Sequence, residues 1–140
     1  MSESVRINRW LYVTLSEDAT LIAQGIKGVR DYIPEQAEFP RIVYNLQAGR
    51  DVNGIGGVRL LTRPLYQIKL INKGNIESNY LPLIERMDEL LHNKTNETFE
   101  GYVFSARREQ EINYFEPGEK GTDIVYRHVG GLYRIDCYAI

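Results

Sequence analysis

A chain of 140 residues is long enough for one domain that buries roughly two thirds of its extended surface, so residues 1–140 are expected to share a single core. With 43% hydrophobic and 26% charged residues the composition is globular rather than disordered, and 17 basic residues scattered against 19 acidic ones leave no long electropositive stripe for a phosphate backbone. The single cysteine, Cys137, excludes an intramolecular disulfide and a cysteine-rich zinc site, and no segment approaches the roughly 20 apolar residues that cross a bilayer.

At the start, residues 4–15 place Ile7, Trp10, Leu11, Thr14 and Leu15 at helical spacing and predict a short amphipathic helix. They lack the apolar run and cleavage pattern of a secretory signal, so the chain is expected to stay soluble where it is made. Ser16 is a candidate cap for a second helix, about 17–25, that would bury Ala19, Ile22, Ala23 and Ile26 and end at Gly25 or Gly28. Pro34 and Pro40 make the following segment an extended connection.

Residues 41–48, RIVYNLQA, read as a strand whose partner begins near Val58 and continues through YQIKLI, with a break near Arg63 and Pro64 because proline donates no ladder hydrogen bond. The next helix starts at 80 or 81, capped by Ser78 or Asn79. It turns Leu81, Ile84, Met87 or Asp88, and Leu91 inward, with Glu85, Asp88 and Glu89 mainly outward. Two strands, FEGYVFSARR and QEINYFE, lead to a turn around EPGEKGTD. The closing GLYRIDCYAI alternates Leu132, Arg134, Asp136 and Tyr138 with Tyr133, Ile135, Cys137 and Ala139, which buries the thiol. This order predicts an α+β domain with helices packed against a mainly antiparallel β-sheet.

The glycine-rich stretch RDVNGIGGVR precedes strand-like sequence and has no Walker lysine, so it lacks the strand-to-helix context of a phosphate cradle. It reads as an inter-strand excursion that contacts another subunit or lines a passage, with Arg50, Asp51 and Asn53 as candidate assembly residues. Arg107, Arg108, Glu109 and Glu111 form a second, mixed-charge candidate, at a solvated strand end or a subunit contact. His92, His128 and Cys137 are too far apart in sequence to specify a metal or nucleophile site. No cofactor, metal or catalytic residue is expected. Ten tyrosines suit protein contacts as well as cores, because a ring supplies apolar area and its hydroxyl a polar handle.

Three quoted stretches, LYVTLSEDATLIAQGIKGVRDYIPEQAEFPRIVY, YQIKLINKGNIESNYLPLIERMDELLH and HVGGLYRIDCYA, together resemble the tail-completion proteins of tailed bacteriophages, also called tail terminators or tail-to-head joining proteins. Asp18, Leu21, Pro40, Leu90, Leu91 and His92 carry the likeness, whereas AGRDVNGIGG and RREQEINYFEPGEKGTD depart from it. The resemblance implies a homo-oligomeric ring, commonly a hexamer, at the head-proximal end of a long tail. Its partners would be the tail-tube protein and a neck or head-completion protein, with genomic DNA passing through unread and no membrane involved. The expected location is the virion tail, and the host cytoplasm during assembly. Competing readings are another small oligomeric interaction module, and a small-molecule enzyme if His128, Cys137 and carboxylates converged on a pocket.

Overall fold

The computed structural model describes residues 3–140 except Arg50, Gly54, Val58, Asn75, Glu119 and Thr122, and for 51–53 and 59–62 it describes the backbone alone. Helix α1, Glu3–Ser16, buries Ile7, Trp10, Leu11 and Leu15, the stripe its spacing dictates. Helix α2, Ala19–Ala23, is capped by Asp18 rather than Ser16: Asp18 holds extended backbone angles and its side chain accepts the Leu21 N–H at 3.0 Å. In so short a helix one residue alone faces the core. That residue is Leu21, while Ile22 is 57% exposed and Ala19 and Ala23 lie at the surface, contrary to expectation. Gly25, at φ 91°, ends the turn as expected.

Helix α3, Leu81–Leu91, buries Met87 and Leu91 as its sequence suggested, but Leu83 rather than Leu81 completes the stripe. Leu83, Met87 and Leu91 are buried, Ile84 is half-buried and Leu81 is exposed. Its N-cap position is Tyr80, with no side-chain cap, because Ser78 and Asn79 are taken up in a single 3-10 turn, Glu77–Asn79. Pro82 lies in the first turn, where no intrahelical N–H is required.

Among the described residues eight strands form one sheet: β1 Val29–Arg30, β2 Arg41–Ala48, β3 Asp51–Asn53, β4 Arg59–Thr62, β5 Leu65–Lys73, β6 Lys94–Phe99, β7 Tyr102–Pro117 and β8 Val125–Ala139. All pairings but the parallel β1–β2 are antiparallel, so the α+β expectation holds. Across its width the sheet runs β1-β2-β5-β8-β7-β6. The glycine-rich stretch is not a simple loop, for it contains β3, which pairs with β4 and leaves β5 as the antiparallel partner of β2. Strand β4 instead abuts β8 through Thr62 and Cys137. The expected break does fall at Arg63 and Pro64, whose carbonyl oxygen accepts the Ile135 N–H at 3.0 Å.

Strand β6 follows α3 directly, in a segment for which the sequence predicted no element, and turns at Glu100 and Gly101 into β7. The two strands expected over 99–116 are one: β7 runs continuously through a bulge at Glu109, where pairing passes from Arg108↔Tyr133 to Gln110↔Leu132. The helices cover one face of this sheet. Tyr66, Ile68, Leu70, Ile42, Tyr44, Phe104, Tyr133, Ile135 and Cys137 point into that core, and the Trp10 ring stacks on Phe104 at 4.9 Å. The Tyr66 hydroxyl, deep under α1, donates to Asn8 Oδ1 at 2.8 Å, which satisfies a group that burial would otherwise penalise. No described helix is long and apolar enough to cross a bilayer.

Candidate assembly surface

Beyond the bulge, β7 changes character. Pairing with β6 ends at Lys94↔Ala106, and the Arg108 N–H is taken by His92 Nδ1 at 3.0 Å. From Glu109 to Pro117 the outer edge of β7 has no partner among the described strands, and nearly all its side chains are exposed, including Tyr114 and Phe115. An unpaired edge offers rows of N–H and C=O groups to another strand, and charged side chains such as Glu109, Glu111 and Glu116 limit indiscriminate pairing.

The sheet divides the mixed-charge candidates. Arg108 lies opposite Tyr133, on the helix side, and approaches Asp88 at 3.8 Å; the Tyr133 hydroxyl donates to the same carboxylate at 3.0 Å. Asp88 therefore does not merely face outward, as the helical repeat suggested, but ties α3 to the sheet. Arg107 points to the opposite face, directly across from Arg134. The bulge frees Glu109 to accept from Arg134 Nε at 2.8 Å, and Arg134 Nη1 donates to the Arg63 carbonyl at 3.1 Å. Glu111 is exposed. Of the glycine-stretch candidates, Arg50 lies outside the described residues, and Asp51 and Asn53 are placed in β3 by their backbone.

On the open face, sequence reasoning missed a cross-strand cluster. The His128 ring is 3% exposed and stacks under Tyr114 at 4.5 Å, its Nε2 lies 2.9 Å from Glu116 Oε1, and Lys69 Nζ donates to the Tyr114 hydroxyl at 2.8 Å. Burial lowers the His128 pKa, the Glu116 contact opposes that shift and the nearby Lys69 ammonium adds to it. The signal that could have revealed it is the alternation of Tyr114 and Glu116 along β7, but their partner on β8 depends on a register the sequence does not carry. Cys137 lies on the other side of β8, in the core, where burial raises its thiol to about 11. His128 and Cys137 therefore do not meet.

Comparison with protein-family models and with curated proteins gives no match. Among solved structures, the chain is similar to a chain in "Virion of native gene transfer agent (GTA) particle", with TM-score 0.56 and 12% identity, over 90% of this chain and 91% of that one. At this identity the likeness is one of fold, and it spans nearly the whole of both chains.

Proposed function

We propose that this chain is a structural virion protein that forms a ring at the head-proximal end of a long phage tail, where it terminates tail-tube polymerisation and joins the tail to the neck or head. The observation that carries this reading is the near full-length fold likeness to a chain of a gene transfer agent virion. The order of motifs along the sequence supports the finer assignment, and the exposed outer half of β7, Glu109–Pro117, with its open edge supplies a surface suited to assembly.

The mechanism is geometric rather than catalytic. A ring whose lower surface fits the last tube layer, but whose upper surface lacks the docking face for another layer, stops growth and presents a different interface to the neck. DNA would pass through the opening without sequence reading, in keeping with a chain of net charge -2 and no continuous basic track. Arg50, Asp51, Asn53, Arg107, Arg108, Glu109 and Glu111 are the proposed contact residues, Arg108 also approaching Asp88 at 3.8 Å.

Electron microscopy of particles assembled without the protein tests the role. Abnormally long or unjoined tails are expected; tails of normal length joined to heads would overturn it.

A further inference from the structure

Four cations surround a cleft of about 360 Å³ on the face of the sheet opposite the helices. Arg107 comes from β7, Arg134 from β8, Lys94 from the start of β6 and Arg63 from the break between β4 and β5; Asp136 and Ser105 complete the wall. Arg107 and Arg134 are directly opposed across the β7–β8 ladder, an arrangement that costs stability when two like charges face each other. Glu109 and Asp136 partly offset Arg134 and Arg63, at 2.8 Å and 3.6 Å. Lys94 reaches only Glu97, at 3.9 Å, and Arg107 forms no ion pair with any described residue. The cleft is thus a concave site in which Arg107 alone of the four cations has no ion pair with a described residue.

At the other end of the sheet the chain carries the complementary feature. Within the connection from β1 to β2, residues 31–38 expose Asp31, Glu35 and Glu38, none ion-paired to a described residue, beside exposed Tyr32 and Ile33. The loop lies at the β8 end marked by Tyr126, whose ring Phe39 touches at 5.1 Å, whereas the cleft lies at Arg134 and Asp136, eight or more residues further along the same strand and roughly 26 Å away at ordinary strand rise, so this loop does not meet the cleft of its own chain.

We infer that copies of this chain contact one another head to tail, the acidic 31–38 loop of one copy seating in the Arg63–Lys94–Arg107–Arg134 cleft of the next. The inference rests on the ring reading and specifies its contact. Two unlike patches on opposite ends of a subunit make a heterologous interface, which closes into a ring when the rotation per copy permits. A loop carboxylate neutralises Arg107, the cation that Glu109 and Asp136 leave unpaired, and Tyr32 and Ile33 cover the apolar stems of the cleft side chains. A DNA backbone fits less well, because it needs a track of cations and Asp136, Glu97 and Glu109 rim the site.

The test is charge exchange read by analytical ultracentrifugation and native mass spectrometry of the full chain. Arg107→Glu and Glu35→Lys are each expected to weaken self-association about tenfold or more, and increasingly at low salt, where like charges at a contact are least screened. Mixed in equal amounts, the two variants are expected to reassemble, since each then offers the other an oppositely charged surface. Lys94→Glu serves as a second cleft variant if Arg107→Glu does not fold. Association of both cleft variants at wild-type strength, or failure of the mixture to recover, overturns this contact while leaving the ring reading standing. Loss of binding to a short DNA duplex on Arg107→Glu, with assembly unchanged, also overturns it and assigns the cleft to nucleic acid. A wild-type chain that remains monomeric at all concentrations and in particles removes the ring reading and this contact with it.

Discussion

Arg86 holds both carboxylate oxygens of Asp18, with Nε 3.0 Å from Oδ2 and Nη2 2.8 Å from Oδ1, and so clamps the start of α2 to the middle of α3. The same Oδ2 accepts the Leu21 N–H, so one short side chain both caps a helix and joins two helices.

The Arg86 hydrogen bond holds the Asp18 carboxyl below its ordinary value of 3.8 despite an opposing effect of burial. A lowered folded pKa means that the charged form stabilises the fold: the contribution is fully present above about pH 4 and is lost as the pH falls through the folded value. Asp18→Ala is expected to lose about 1 kcal/mol from the cap alone. Asp18→Asn, which keeps a capping oxygen, should lose only the ionic part. Urea unfolding across pH would show the gap between wild type and Asp18→Asn closing in acid; a gap that persists there would argue against the ion pair.

Trp10 and Phe104 stack nearly parallel, 7° apart, and fasten α1 to β7. Truncating either ring to Ala is expected to cost about 3–5 kcal/mol, with a coupling between them of about 0.5–1.5 kcal/mol in a double-mutant cycle. The Trp10 indole N–H has no partner among the described residues, so Trp10→Phe removes an unsatisfied donor and should be far milder than Trp10→Ala. Equal losses for the two substitutions would contradict this account.

At Gly130 a side chain is excluded by backbone. An added Cβ would stand 2.1 Å from the Ile68 carbonyl oxygen and 2.6 Å from Lys69 Cα, neither of which can swing away without parting β5 from β8. Gly130→Ala is expected to destabilise by about 3 kcal/mol or more, beyond the usual cost of modest overpacking. Gly25→Ala, with no neighbour to strike, meets only the cost of its positive φ and serves as the comparison in chemical denaturation.

His128 should make stability depend on pH near neutrality. Its folded pKa lies below the ordinary 6.5, so the neutral ring is the stabilising form. Stability is therefore greatest above about pH 6.5 and declines as the pH falls from there through the depressed folded value. The groups facing the ring are Lys69 from β5 and Tyr114 and Glu116 from β7, and a new cation meets repulsion from the first and attraction from the last. Thermal unfolding between about pH 8 and pH 5 should show a steeper fall for wild type than for His128→Gln. Parallel curves for the two would exclude His128 as the source.

Residues 4–15 and 66–70 could be read correctly because a period of 3.6 or 2 in apolar residues reports which face is buried, whatever lies against it. Strand β2 was legible to its ends, Arg41 and Ala48, because a proline precedes it and a glycine follows. Strand β6, Lys-Thr-Asn-Glu-Thr-Phe, has no such period: at the sheet margin both its faces are partly wet, and nothing in its composition distinguishes it from a link. The same holds for the bulge at Glu109, which preserves a long β7 where local pattern suggested two strands.

Local sequence by itself therefore determined α1, α3, β2, β5 and β8 and that such elements form an α+β core, since those choices follow from side-chain periodicity and turn chemistry. Tertiary structure alone decided that β5 rather than β4 pairs with β2, that Arg107 and Arg108 stand on opposite faces, and that Asp18 meets Arg86 and His128 meets Tyr114. Each of these depends on closing a chain over many residues in one register out of several, and that selection is made by the packing of the whole core rather than by the residues that meet.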